Sequence, residues 1–329
     1  MVKVPKGYRS KNVRDSRGVG GSRSSGGGFG RRSSPRRSSS PNRGGISSGS
    51  GQRPQGQRGG CGIGFLIMMA VVAFVIFSCI GSGSISDDLT STGPSGGGAI
   101  SENIDSGGEA SNSESQAEED SFTLINFVLD DLQMEFWPAE FEEAGLMYED
   151  AFVDVFENGV TTRGCGSATS AVGPFYCPAD DTAYIDIEYM FLLQRQLGAE
   201  GDFGQAYILA HEIGHHVQNL LGINAAMRQA QSLVGTVESN MLQVSLELQA
   251  DCFAGAWARN FADRGFLDEG DLEEGINAAG AVGDDAITGS NNQENFTHGS
   301  SAQRIEWFNR GFDEGTDSCT TFDGELSPS

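Results

Sequence analysis

The chain has 329 residues, a formal net charge of −24 and 38% hydrophobic residues. Its charge is divided sharply: residues 1–60 carry 14 Lys and Arg against the single acid Asp15, residues 61–120 carry nine acids and no base, and residues 121–329 carry 35 acids against seven Arg. A C-terminal region this acidic repels phosphate, which excludes nucleic acid as a partner.

Residues 1–60 are mostly Gly, Ser, Arg, Pro and Gln with few aliphatic side chains to bury. Burial of that kind cannot offset the entropy of ordering a chain, so this stretch is expected to be a disordered basic tail. Residues 61–80, CGIGFLIMMAVVAFVIFSCI, hold no charge over 20 positions and suffice for one transmembrane helix. The positive-inside rule keeps the basic tail cytoplasmic and places the C-terminal region outside. Residues 81–120 read as an acidic Ser/Gly-rich linker, leaving 121–329 as the one segment able to build a core.

That segment shows no internal repeat. Residues 121–137 recur at helical spacing behind a Ser121 N-cap, and Pro138 ends the helix or opens the next turn. AFVDVF (151–156) and TAYIDI (182–187) alternate as strands, with Gly159 in a turn and 164–174 a Gly-rich loop. Helices are predicted over 203–221 with Gly222 as its cap, over 236–261, and from an Asp271/Glu274 capping box to Val282. A last helix, 301–309, precedes a stop at Gly311. The fold class is α+β, mostly helix with a small sheet.

Four cysteines lie in the outer segment: Cys165, Cys177, Cys252 and Cys319. An even number in an oxidising compartment suits two disulfides, and three pairings are open. Cys165–Cys177 would close a short loop, and Cys252–Cys319 would pin the C-terminus to a helix.

The whole chain has four histidines, His211, His215, His216 and His298, and two of them fall in HExxH. The i,i+4 spacing puts His211 and His215 on one helix face, one turn apart, where both imidazoles converge on a single ion. Glu212 borders that face as the general base that takes a proton from water at the metal. Gly214 gives room for a close backbone approach. A catalytic zinc needs a third ligand, and Glu247 on the second long helix supplies it. Asp251 shares the face of Glu247 and is suited to accept the outer N–H of a ligand histidine. The rival reading, two solvated helix acids, fits poorly with their apolar neighbours Leu246, Leu248, Ala250, Phe253 and Ala254. His216 is not a ligand, since His215 already takes the metal-facing direction. His298 precedes the last helix. It is either a donor to the oxyanion of a tetrahedral intermediate or a loop histidine capping that helix, and Arg304 and Tyr207 are further donor candidates. Asp130/Asp131 and Asp284/Asp285 read as surface or capping pairs.

HEIGHHVQNLLGI, ELQADCFAGAWA, CGSATSAVGPFYCPADDTAYID and FTHGSSAQR together resemble the bacterial neutral zinc metallopeptidase family, whose members are typically membrane-anchored. The resemblance covers residues 121–322, and YRSKNVRDSRG near the start is similar to that family's N-terminal tail. The HExxH…ExxxD layout also resembles the gluzincins. The resemblance implies a zincin-like domain with one catalytic Zn2+ on His211, His215 and Glu247, Glu212 as base and Asp251 behind a histidine. It contains no gluzincin-like sequence for the oxyanion histidine, so His298 gains nothing from it. The expected function is a zinc metalloendopeptidase acting on peptide or protein substrates, with the 182–187 strand binding extended substrate if it lies at a sheet edge. Two rivals stand beside it: a non-catalytic zinc-stabilised binding module, against which Glu212 speaks, and a zinc hydrolase of a cell-wall amide.

Overall fold

The computed structural model describes residues 1–18, 107–191 and 201–322. The predicted span 61–80 lies outside the described residues; among the described residues no helix is long and apolar enough to cross a membrane. A small sheet and a set of helices position the site. The strands are β1 (Val13–Asp15), β2 (Phe152–Phe156), β5 (Phe175–Cys177) and β6 (Thr182–Asp186), in the order β1-β2-β6-β5, while β3 (Gly159–Thr161) and β4 (Ser167–Thr169) form a separate hairpin. β1, β2 and β6 run parallel, with Val13 opposite Val153 and Val155 opposite Ile185, and β5 runs antiparallel to β6. β6 is buried along its whole length, as a central strand of β-branched and aromatic residues should be. Both of its edges are therefore occupied, which overturns the expectation that substrate adds to the 182–187 strand. Gly159 opens β3, and the turn before it falls on Asn158, at φ 64°.

The helices are α1 (Gly107–Asp131), α2 (Trp137–Glu143), α3 (Asp202–Leu220), α4 (Ile223–Gln231), α5 (Thr236–Asp263), α6 (Asp271–Ala281), α7 (Asp284–Thr288) and α8 (Ser301–Glu314). A π-helical stretch, Leu132–Phe136, joins α1 to α2, and Pro138 sits in the first turn of α2, where its missing N–H costs nothing. α3 is buried on nearly every face, which explains its apolar composition, and Gly222 at φ 75° ends it. α5 and α8 form the most extensive helix pair, and Gly255 and Gly311 make it. A Cβ on Gly255 would sit 2.0 Å from the Phe308 carbonyl oxygen, and one on Gly311 only 1.8 Å from that of Cys252. Gly311 is thus a contact residue inside the helix and not its stop; α8 continues to Glu314 and ends at Gly315. Its N-terminus carries a capping box, Ser300 with Gln303. The box expected at Asp271 and Glu274 does not form. Asp271 accepts from the Met1 ammonium and the Asp268 N–H, and Glu274 from the Phe203 N–H.

The first eighteen residues correct the expectation of a disordered 1–60 tail. Val2 is buried in the core, β1 extends the sheet, and basic side chains meet the acidic domain: Lys3 pairs with Asp268 at 2.9 Å, and Arg9 pairs with Glu119. Arg9 and Arg17 also lie over the Phe122 ring, and Tyr8 and Ser10 donate to Asp130. Composition alone missed this because charge complementarity and four well-spaced apolar residues (Val2, Val4, Tyr8, Val13) hold the segment in place. The linker boundary moves as well, since α1 begins at Gly107 and Ser121 lies buried within it. A strand hydrogen-bonded to the domain's sheet cannot lie across a bilayer from it.

Both disulfides are formed as Cys165–Cys177 and Cys252–Cys319, with Cα separations of 5.9 and 5.5 Å. The first ties the β4–β5 region together. The second holds the C-terminal segment against α5.

Candidate metal centre

α3 and α5 cross at Gly214, where a Cβ would meet the Ala250 Cα at 3.1 Å. This close approach brings the face of α3 carrying His211 and His215 against the face of α5 carrying Glu247. The donor atoms of His211, His215 and Glu247 all lie within 4.8 Å of one another. His211 Nε2 is 3.2 Å and His215 Nε2 is 3.6 Å from Glu247 Oε2. Ligand atoms held about 2.0–2.2 Å from a tetrahedral zinc stand roughly 3.3–3.6 Å apart, so this two-nitrogen, one-oxygen set fits zinc in both chemistry and spacing. Three protein ligands leave a fourth position open, the arrangement of a catalytic site.

Each ligand is held from behind. His211 Nδ1 donates to Asp251 Oδ1 at 2.8 Å, which leaves Nε2 unprotonated toward the cluster. Asp251 also accepts from Tyr207 Oη at 2.6 Å and from Arg304 Nε and Nη2, both at 2.8 Å. Arg304 Nη2 lies 3.2 Å from His211 Nδ1. That nitrogen has only one proton and gives it to Asp251, so the arginine contact is electrostatic. Burial raises the Asp251 carboxyl, but Arg304 and His211 outweigh it and hold it below the ordinary value. His215 Nδ1 faces Gln218 Oε1 at 2.8 Å, and Glu247 Oε1 accepts from Gln243.

The electrostatics suit a cation. Burial raises the Glu247 carboxyl, and the imidazoles of His215 and His211, with His298 farther off, reverse this and drive it well below its ordinary value. Burial lowers the His215 imidazole, and the Glu247 carboxylate outweighs that and raises it to about 9. Glu212 is 7% exposed; burial pushes its carboxyl up, and His215 and His211 partly offset the push. A carboxyl so placed holds a proton more readily than a solvated one.

Tyr207 and Arg304, expected as donors to an oxyanion, are instead engaged with Asp251, and Arg304 Nη2 also lies 3.4 Å from His211 Nε2. His216 is apart from the ligands: Nε2 donates to the Glu149 carbonyl at 2.7 Å, and Nδ1 lies 2.9 Å from Tyr176 Oη, which donates to Asp181. His298 has a partner the sequence did not reveal, and a Cβ on its neighbour Gly299 would meet Leu248 of α5 at 3.3 Å. Asp284 Oδ2 accepts the backbone N–H groups of Thr297, His298 and Gly299, while Oδ1 lies 3.1 Å from His298 Nδ1. Of the pair read as surface or capping acids, Asp284 is 7% exposed and so not at the surface, while Asp285 accepts the Ser301 N–H at the start of α8, as a capping acid does. Asp130 and Asp131 are buried too, Asp131 taking Trp257 and Arg264. The functional partners missed were Asp284, Gln218 and Gln249. Only Gln218, at i+3 from His215, carried a local signal.

An Escherichia coli (strain K12) relative, "Uncharacterized protein YpfJ", is 46% identical over 191 residues, 56% of this chain and 66% of its own. "Uncharacterized protein Rv2575" of Mycobacterium tuberculosis (strain H37Rv) is 43% identical over 182 residues, 50% of this chain and 60% of its own. The chain thus spans less than two thirds of the length of each of these relatives. No solved structure matches. The profile of the family described as "Putative neutral zinc metallopeptidase" matches residues 3–322, starting within the packed N-terminal segment, and the chain therefore belongs to that family.

Proposed function

We propose that this protein is a zinc-dependent endopeptidase with a zincin-like active site, and that it hydrolyses peptide bonds in proteins or peptides. The observation that carries the reading is a three-ligand set at zinc spacing with a buried carboxyl, Glu212, beside it. His211, His215 and Glu247 hold the metal. Bound zinc supplies a Lewis acid that acidifies water and polarises a carbonyl oxygen. Glu212 takes the proton of the attacking water and delivers it to the departing amine, a task suited to a carboxyl raised by burial. In its doubly protonated form His298 donates from Nδ1 to Asp284 and from Nε2 to the substrate carbonyl oxygen as charge develops there. Asp251 keeps His211 in the ligand tautomer, and Arg304 and Tyr207 keep Asp251 in place. A structural zinc site needs no base next to its ligands, which weighs against a binding module.

Two disulfides support an oxidising compartment, and the apolar residues 61–80 support attachment to the bacterial inner membrane. We infer that residues 1–18 and the domain lie on one face of the membrane, because residues 13–15 pair with the domain's sheet.

The test is metal analysis with peptide and casein cleavage by the wild type and Glu212→Gln. One zinc per chain in both, with cleavage only by the wild type, is the expected result. Zinc in both and cleavage by neither, with cell-wall material cut instead, would replace the substrate assignment.

A further inference from the structure

The two histidine ligands are braced differently. His211 has a carboxylate behind it, whereas His215, the more exposed of the two, has the neutral amide of Gln218. An amide can turn either end to an imidazole, so something must decide which end His215 meets. Gln218 Nε2 donates to the Leu246 carbonyl at 2.8 Å and to Gln249 Oε1 at 3.1 Å. Gln249 Nε2 in turn donates to the Cys319 carbonyl at 2.9 Å. Both carbonyls accept only, so the polarity of the whole chain is set from its far end: Gln249 must present oxygen to Gln218, and Gln218 must present oxygen to His215. His215 Nδ1 is then the donor, and the Nε2 lone pair is left for the metal. Gln218 is fully buried and Gln249 is 6% exposed, so water does not compete for these positions.

The carbonyl at the far end belongs to a residue near the C-terminal limit of the fold. Cys319 is bound through its disulfide to Cys252, which stands one helical turn after Gln249 on α5. We infer that Gln218, Gln249 and the Cys252–Cys319 disulfide form a positioning relay that aims the His215 imidazole and thereby sets metal affinity. The inference rests on the metal-centre reading above. It gives the disulfide a role in the site beyond pinning the terminus, and it makes metal retention sensitive to the redox state of this one bond.

The experiment uses the full-length protein and measures zinc affinity by competition with a chromophoric chelator. The variants are Gln249→Met, Cys252→Ala/Cys319→Ala, and the two combined, with Cys165→Ala/Cys177→Ala as a control disulfide that shares no residue with the relay. Loss of an outer partner typically weakens metal binding about 10–100-fold, so Gln249→Met and the Cys252/Cys319 variant should each lose on the order of tenfold. The control should bind as the wild type does. The combined variant should lose no more than either alone, because both cut one chain. Wild-type affinity in Gln249→Met overturns the relay, and so do losses that simply multiply in the combined variant. Gln249→Met keeps every disulfide, so it decides the matter even where the cysteine variants fold poorly. A wild type that binds no zinc fails the metal-centre reading itself, a result distinct from these.

Discussion

Replacing Gly311 by Ala tests how the site is assembled, because two physical effects of opposite sign compete there. Helix propensity favours Ala over Gly by about 1 kcal/mol in a helix interior. Against it, the new Cβ would lie 1.8 Å from the Cys252 carbonyl oxygen, 2.7 Å from its carbon and 2.9 Å from the Ala256 nitrogen. All three are backbone atoms of α5 and cannot swing aside as a side chain would. Carbon–oxygen contacts settle at about 3.3–3.6 Å, so α5 and α8 must part by roughly 1.5 Å along that direction. Overpacking of this kind costs about 1–3 kcal/mol and sometimes more. Because backbone cannot move aside, the cost falls at the upper end of that range, and with the propensity gain subtracted the net loss is about 2 kcal/mol at most, lowering the melting temperature of a domain this size by up to roughly 4–8 °C. Separation of the helices also draws Arg304 on α8 away from Asp251 on α5, a buried pair at 2.8 Å, so zinc affinity should fall as well. Thermal unfolding of metal-free wild type and variant in the presence of a chelator isolates the packing effect. A melting temperature equal to or above that of the wild type would refute the contact role of Gly311 and restore the reading of a simple helix terminator.

Three further outcomes are expected. Asp284→Asn should leave zinc content unchanged while lowering kcat about tenfold to a hundredfold, since the charged brace of His298 is lost; an unchanged kcat removes His298 from the mechanism. Zinc affinity should climb with pH toward about 9, because metal-free His215 is raised to that value, His211 is raised too, and both protons must leave before the metal binds. Calorimetry in buffers of different ionisation enthalpy reads the released protons directly, and binding without proton release at pH 7 would contradict it. For topology, cysteines introduced as Lys11→Cys and Ala117→Cys, with Cys61 and Cys79 replaced, should react alike with a membrane-impermeant thiol reagent on intact cells. Labelling of position 117 alone would show that the strand pairing of residues 13–15 does not form across the cell's membrane.

The features readable from the chain were those that depend on local periodicity. The i,i+4 spacing of His211 and His215, the base between them, and the shared face of Glu247 and Asp251 arise from 3.6 residues per turn. The strands at 152–156 and 182–186 and the helix ending before Gly222 arise from alternation and from the left-handed conformation only Gly adopts cheaply. The tertiary structure decided everything that joins distant segments. Asp284 reaches His298 across fourteen positions and Gln249 reaches Cys319 across seventy, with no spacing rule to announce either. Gly311 has the same composition signal as a helix stop and is told apart only by the backbone of α5 pressed against it. Residues 1–18 share only their basic character with residues 19–60, and they pack because an acidic domain and an open sheet edge lie within reach. The metal ligands were legible because one helix holds two of them. Their bracing was not, because hydrogen-bond partners are chosen in space, after the chain has packed.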